Sequence, residues 1–341
     1  MRNKKQNETL EHSMHHSYES NIFKDILKKI PFLFDFSKAT YIFILHIISK
    51  KRWKKILLNT EIKLNLGSGS TKGKNGWVNV DLFGADINHD LTRGVPLDDN
   101  TVDAVYSSHV FEHIPHTRLP IVIAEINRVM KKNSVLRILT PDLEKICKAY
   151  VKKDKKFFKL AKSEDESLRT DLGLGGMLMS CIVTAGQDTV LLDRTLNKFI
   201  SGYAHLYSYD YKMLSIIFSQ LGFRVRKAKF NDSSVKEMRE PLHVEGMYPK
   251  WSDLNQKFYK KNRLVHKLVK GRYKINFKVT GFDRDPLTSL IIEAKKIKNV
   301  SKEKANKIFN QSKKNYNRYG NSLLSYKDFI KQLKNKKIKY A

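Results

Sequence analysis

The chain has 341 residues, 41% hydrophobic and 11% aromatic, enough to bury a core and too apolar for a disordered chain. Its 65 Lys and Arg against 34 Asp and Glu give a formal net charge of +31. Two cysteines, Cys147 and Cys181, and no Cys-x-x-Cys pair exclude a disulfide scaffold and a thiolate zinc site.

The charge is unevenly placed. Residues 61–150 carry 11 basic and 11 acidic side chains, whereas residues 251–300 carry 13 against 4 and residues 301–341 carry 12 against 2. Residues 1–20 read as a polar, His-containing leader without the apolar core of a signal peptide. Residues 21–58 alternate apolar faces with Lys clusters, are broken at Pro31, and predict two amphipathic helices. The longest apolar run, Ala39 to Ser49, is eleven residues, short of the about 20 a membrane-spanning helix needs. Lys50, Lys51, Arg52, Trp53, Lys54 and Lys55 follow it, and basic and aromatic residues beside an amphipathic helix suit an anionic membrane surface. The expectation is a cytoplasmic protein with peripheral contact at the inner face of the membrane.

From Glu61 onward, short β-branched or Leu-rich runs alternate with helical stretches, the pattern of βαβ units. Strands are predicted at Lys63–Leu66, Val78–Val80, Ala104–Ser107 and Val135–Leu139, with a helix at Leu119–Met130. Residues 151–202 read as a helical insertion with a Gly-rich patch at Leu172–Gly176. A helix at Tyr211–Leu221 ends at Gly222, Phe223–Phe230 is strand-like, and Ser289–Glu293 is expected to close the sheet as an edge strand. The predicted fold is α/β and Rossmann-like. Its mostly parallel sheet of seven strands spans residues 60–294, and a basic helical tail follows over 295–341.

The strongest local signal is Leu64-Asn65-Leu66-Gly67-Ser68-Gly69-Ser70, an apolar strand running into a Gly-x-Gly turn where a ligand can approach the backbone. A second strand ends in Asp81, a position from which a carboxylate can accept both hydroxyls of a ribose. The dinucleotide version of this pattern fits less well, because its third glycine falls on Lys72. Further on, His109-Val-Phe-Glu112-His113 spells the inverted zinc-protease motif. Its position at the end of a strand and beside a Gly turn argues against zinc, and no metal is expected.

The run Lys63–Ile114 resembles class I S-adenosylmethionine-dependent methyltransferases, closest to those of bacterial surface-polysaccharide gene clusters. The resemblance rests on Gly76–Asp81, Asp90-Leu91, Ser108–His113 and, more loosely, His205-Leu-Tyr-Ser-Tyr209 with Gly222-Phe223. It implies that Gly67 and Gly69, with Asn65 and Ser68, line the methionine end of the cofactor. Asp81 would hold the ribose, Asp90 and Leu91 would sit by the adenine, and Ser108 would face the sulfonium. Ser68 and Ser70 depart from the usual Gly-rich pattern.

Two roles stay open for several residues. Asp90 could instead be a helix N-cap, Glu112 and His113 could pair within their own turn, and His205 beside Tyr207 and Tyr209 could be a packed histidine. A saccharide hydroxyl as acceptor calls for a base, and His109 is the first candidate, with Glu112 and His205 behind it. Ser107-Ser108-His109-Val110 replaces the Asn/Asp-Pro-Pro-aromatic motif of base methylation, so nucleic acid is disfavoured as substrate. The alternatives are an RNA or small-molecule methyltransferase, or a non-catalytic scaffold that binds the cofactor in a glycan-assembly complex.

Overall fold

A computed structural model of the chain describes residues 47–68, 76–82, 85–116, 118–161, 169–183, 205–230, 232–238, 265–269, 272–275 and 288–301, with isolated positions from 44 to 310. The expected leader at 1–20, residues 21–43 of the expected amphipathic helices, Gly69, residues 162–168 and 184–202 of the expected insertion and residues 311–341 of the expected tail lie outside these.

The parallel strands are β1 (Lys63–Leu66), β2 (Trp77–Asp81), β3 (Ile87–Asn88), β4 (Val102–Ser108) and β5 (Met130–Pro141). They are followed by β6 (Phe223–Lys227), a separate two-stranded pair of β7 (Val265–Val269) and β8 (Arg272–Ile275), and finally β9 (Ser289–Lys296). The main sheet has seven strands in the order β3-β2-β1-β4-β5-β9-β6, with β9 antiparallel to both β5 and β6. This is the α/β, mostly parallel, Rossmann-like sheet expected. One placement differs: β9 is an interior strand and β6 takes the edge. Pairing with β5 on one side and β6 on the other covers it, and all but one of its eight residues are buried.

The expected helices are present as α1 (Leu119–Val129), α2 (Leu143–Val151), α3 (Lys155–Ala161), α4 (Gly173–Ile182) and α5 (Tyr211–Gln220). Helix α1 presents Leu119, Val122, Ile123, Ile126 and Val129 to the sheet at helical spacing. Asp142 starts α2 by accepting from the Glu144 and Lys145 amides, and Asp210 starts α5 by accepting from Met213. After α5, Gly222 adopts φ +83, and a Cβ there would meet the Lys298 carbonyl oxygen at 2.4 Å, so only glycine fits.

A helical segment at 47–56 packs on the β3 side of the sheet. Trp53 and Ile56 belong to the main core, Trp53 meets His89 edge-on at 5.6 Å, and Ser49 donates to the Asn88 carbonyl at 2.7 Å. The opposite side of this segment exposes Ile44, Ile47 and Ile48. At the other end of the domain β9 continues to Lys296, a fully buried ammonium whose donors reach Asn100 Oδ1 and the Asn127 and Met130 carbonyls. Among the described residues, no helix is long and apolar enough to cross a membrane.

Candidate active site

Strand pairing decides which sequence motifs meet. Leu66 lies beside Val80 of β2 on one side and Ser107 of β4 on the other, so the carboxyl ends of these three strands form one edge. In an open α/β sheet the crevice outside such an edge is where ligands bind. The turn after β1 folds tightly there: Gly67 has φ +71 and donates to the Val80 carbonyl at 2.7 Å. A Cβ on Gly67 would fall 1.9 Å from Val110 Cγ2, so the glycine lets the β1 turn and the segment after β4 touch.

The expected cofactor residues fall into two groups. Gly67, Ser68, Asp81 and Ser108 gather at this edge. Asp81 ends β2, half-buried, with Oδ1 accepting from the Leu82 amide at 2.6 Å. The hydroxyls of Ser107 and Ser108, at the end of β4, are buried without a hydrogen-bond partner. Asn65, Asp90 and Leu91 are instead tied into the frame. Asn65 donates to Asn79 Oδ1 at 3.0 Å, and Asn79 is held in turn by Asp86. Asp90 caps the turn Leu91–Arg93, accepting from the Thr92 amide and hydroxyl, and Leu91 packs in the core. Asp86 is the residue whose supporting role the sequence did not suggest.

The chemistry-bearing groups lie just past β4. His109 sits in the left-handed region at φ +54, an uncommon conformation for a residue with a side chain. Its Nδ1 lies 3.1 Å from Glu112 Oε1 and its Nε2 3.2 Å from the Ser289 hydroxyl of β9. Glu112 is fully buried in the turn Phe111–His113, and its Oε2 accepts from the Thr140 hydroxyl of β5. Burial alone would push this carboxyl up, but the His109 N–H and the neighbouring imidazoles hold it down to about 2. An ionised Glu112 can only accept, which assigns the His109 proton to Nδ1 and leaves a lone pair on Nε2. The His109 side chain is 28% exposed and Glu112 1%, so the pair points a solvent-reaching imidazole out from a buried carboxylate.

His205 arrives from beyond the insertion. The Leu206 and Tyr207 amides both donate to the Glu112 carbonyl, which seats this segment on the turn, and the His205 ring packs edge-on against His113 at 5.0 Å. Its Nδ1 lies 3.2 Å from the Cys181 carbonyl of α4. Burial pushes His205 down to about 4, so it is a neutral imidazole at neutral pH and a weaker base than an ordinary histidine. Tyr209 is buried nearby with its hydroxyl unpartnered, and burial pushes that phenol up. Tyr207, beside it, is partly exposed and stacks on His116 at 4.8 Å. The inverted zinc-protease arrangement is not built: residues 111–113 form a single short turn, and His109 is directed to Glu112 rather than alongside His113. One donor atom each of Glu112, His113 and His205 does lie within 4.8 Å of the others.

The burial of His205 has a measurable consequence. The unfolded chain protonates it near 6.5 and the folded chain only near about 4, so the unfolded state binds more protons between these values. Stability therefore falls as pH drops from 6.5 towards 4, by at most about 3 kcal/mol. Loss of the Glu112 contribution continues the decline from 4.5 towards about 2. Urea midpoints at pH 7 and pH 4.5, measured with a chelator present, are expected to differ less in His205→Gln than in the parent.

The edge fits S-adenosylmethionine. Two unpartnered serine hydroxyls, a glycine turn with no room for a side chain and a carboxylate at the end of β2 offer polar partners along the carboxyl ends of β2, β1 and β4. Residues 66–138, which include Gly67, Asp81, His109 and Glu112, match the family described as methyltransferase domain. No curated protein matches the chain. Solved structures similar to it include an S-adenosylmethionine-dependent methyltransferase from Archaeoglobus fulgidus, at 16% identity over 74% of this chain and 94% of that one, TM-score 0.31. One from Methanosarcina mazei is 12% identical over 71% and 95%, TM-score 0.32, and one from Thermotoga maritima 12% identical over 76% and 95%, TM-score 0.31. None of them bears on the substrate. The sheet is Rossmann-like and the segment at its cofactor edge matches a methyltransferase domain, and the chain is a methyl-transferring enzyme that uses S-adenosylmethionine.

Proposed function

We propose that the chain transfers the methyl group to a hydroxyl of a saccharide, with His109 as the base. The observation that carries this reading is the Glu112–His109 pair, a buried carboxylate 3.1 Å from the imidazole Nδ1, at the end of β4 beside the glycine turn. S-adenosylmethionine supplies an already activated methyl on its sulfonium, so the enzyme must chiefly position the acceptor in line and take its proton. A hydroxyl is a poor nucleophile until that proton leaves, and His109 Nε2, which carries a lone pair, can receive it. Ser289 donates to the same nitrogen in the absence of acceptor and would yield its place. Glu112 keeps the ring in the right tautomer and stabilises the imidazolium that forms. The exposed Tyr207 ring stacked on His116 supports a saccharide, because sugar rings present an apolar face to aromatic side chains. The resemblance to surface-polysaccharide methyltransferases supports the same class of acceptor.

We also propose that Ile44, Ile47 and Ile48, with the adjoining lysines, rest on an anionic membrane surface, where lipid-linked saccharides would be met. Liposome flotation of the full chain and of a variant with Ile44→Ser, Ile47→Ser and Ile48→Ser, which leaves Trp53 and Ile56 in the core, tests this contact, and equal flotation would end it.

The acceptor is tested by incubating the enzyme with methyl-labelled S-adenosylmethionine and either lipid-linked glycans or total RNA. Label is expected in the glycan as an alkali-stable methyl ether. Label only in RNA, or in neither with cofactor binding intact, would overturn the saccharide reading.

A further inference from the structure

Beyond methyl transfer, we propose that Glu112, His113 and His205 form a binding site for one divalent transition-metal ion. Their donor atoms already lie within 4.8 Å of one another, and two imidazoles with one carboxylate are a donor set suited to zinc and to neighbouring first-row ions. Tetrahedral coordination with bonds of about 2.0–2.1 Å brings donors to about 3.3 Å apart, so side-chain rotations of about an ångström complete the site.

Two features separate this cluster from a chance meeting of polar groups. First, it is backed by an outer layer of the kind that ligands require. His205 has Nδ1 directed at the Cys181 carbonyl, which fixes the ring and leaves Nε2 as the inward donor. Glu112 is steadied on both oxygens, by His109 and by the Thr140 hydroxyl, and a carboxylate has about four lone-pair directions, so capacity for an ion remains. Second, the three ligands come from two segments that are locked together. The Leu206 and Tyr207 amides donate to the carbonyl of Glu112 itself, so His205 is held by the backbone of its fellow ligand. The site is thus assembled from the turn after β4 and from the segment beyond the insertion, and not from the two histidines of the His109–His113 motif.

An ion held by three groups keeps a coordination position open, and an acceptor hydroxyl would be lowered in pKa on entering it. That use rests on the saccharide reading above; occupancy by metal does not, and the test is made without turnover.

The experiment uses tag-free, chelator-treated full-length protein in which His12, His15 and His16 of the polar leader are replaced by alanine, removing a competing histidine cluster. Titration with zinc is expected to reveal one equivalent bound, and cobalt substituted for zinc should give the visible absorption of a tetrahedral site. His113→Ala and His205→Ala, made singly, are each expected to weaken zinc by at least about 100-fold, beyond the about 10–100-fold that follows loss of an outer partner. S-adenosylhomocysteine binding by the same variants reports that they are folded. No stoichiometric zinc in the leader-replaced protein, or affinity unchanged in both folded variants, would overturn the site. Zinc binding with no methylated glycan would leave the site standing and remove only its proposed use.

Discussion

His109→Ala is expected to lower the rate of methyl transfer by about 10²–10⁴-fold while leaving S-adenosylhomocysteine affinity unchanged, the range that loss of a positioned base produces. The separation arises because the His109 ring is held by Glu112 at Nδ1 and by Ser289 at Nε2, and not by the glycine turn or Asp81. Removal of the ring leaves the glycine turn, Asp81 and the serine hydroxyls in place. Glu112→Gln probes the positioning role: an amide no longer demands the proton on Nδ1, so kcat should fall with KM nearly constant and the pH–rate profile should move. Single-turnover transfer at saturating cofactor measures both. A His109→Ala enzyme with the parent's rate would assign the base elsewhere.

Arg137→Met is expected to destabilise the fold by about 3–5 kcal/mol, the usual consequence of removing one partner of a buried pair. Arg137 is fully buried in β5, and its guanidinium reaches Glu293 Oε1 of β9 at 3.2 Å and the carbonyls of Asp232 and Lys229. Glu293 is held from the other side by Arg226 of β6 and by Ser233 and Ser234. Together these groups pin the interior antiparallel strand to both neighbours. Burial would push Glu293 up, but the Ser233 hydroxyl and the two guanidinium groups hold it below the usual carboxylate range. The variant therefore leaves a buried carboxylate with one of its two guanidinium partners. Urea unfolding of the double variant Arg137→Met with Glu293→Gln is expected to recover part of the loss, because the buried charge that has lost one of its two guanidinium partners is then gone; equal stability of Arg137→Met and the parent would contradict the network.

The same network marks what could and could not be read from the amino-acid order. The strands β1, β2, β4 and β5, α1 and the glycine turn were legible because each is a local pattern: an apolar run, a helical repeat, a residue type at the point where a side chain cannot fit. Asp90, expected first beside the adenine and only second as a cap, caps the turn Leu91–Arg93 in the structure. The interior position of β9 was not legible, since its place depends on non-local pairing with β5 and β6 rather than on its own residues. β3, two residues long, is too short to carry a pattern. At the site, the Gly67–Asp81 edge followed from spacing. The meeting of His205 with Glu112 did not, because it is made by chain that returns after an insertion, and the left-handed backbone of His109 leaves no local signal.

The central claim, that a cofactor lies across the carboxyl ends of β2, β1 and β4, is tested most directly by calorimetric titration of the full chain with S-adenosylhomocysteine. One equivalent is expected to bind to the parent, and that binding is expected to be lost in Asp81→Ala with an unchanged melting temperature. No binding by the folded parent, or binding undiminished in Asp81→Ala, would contradict it.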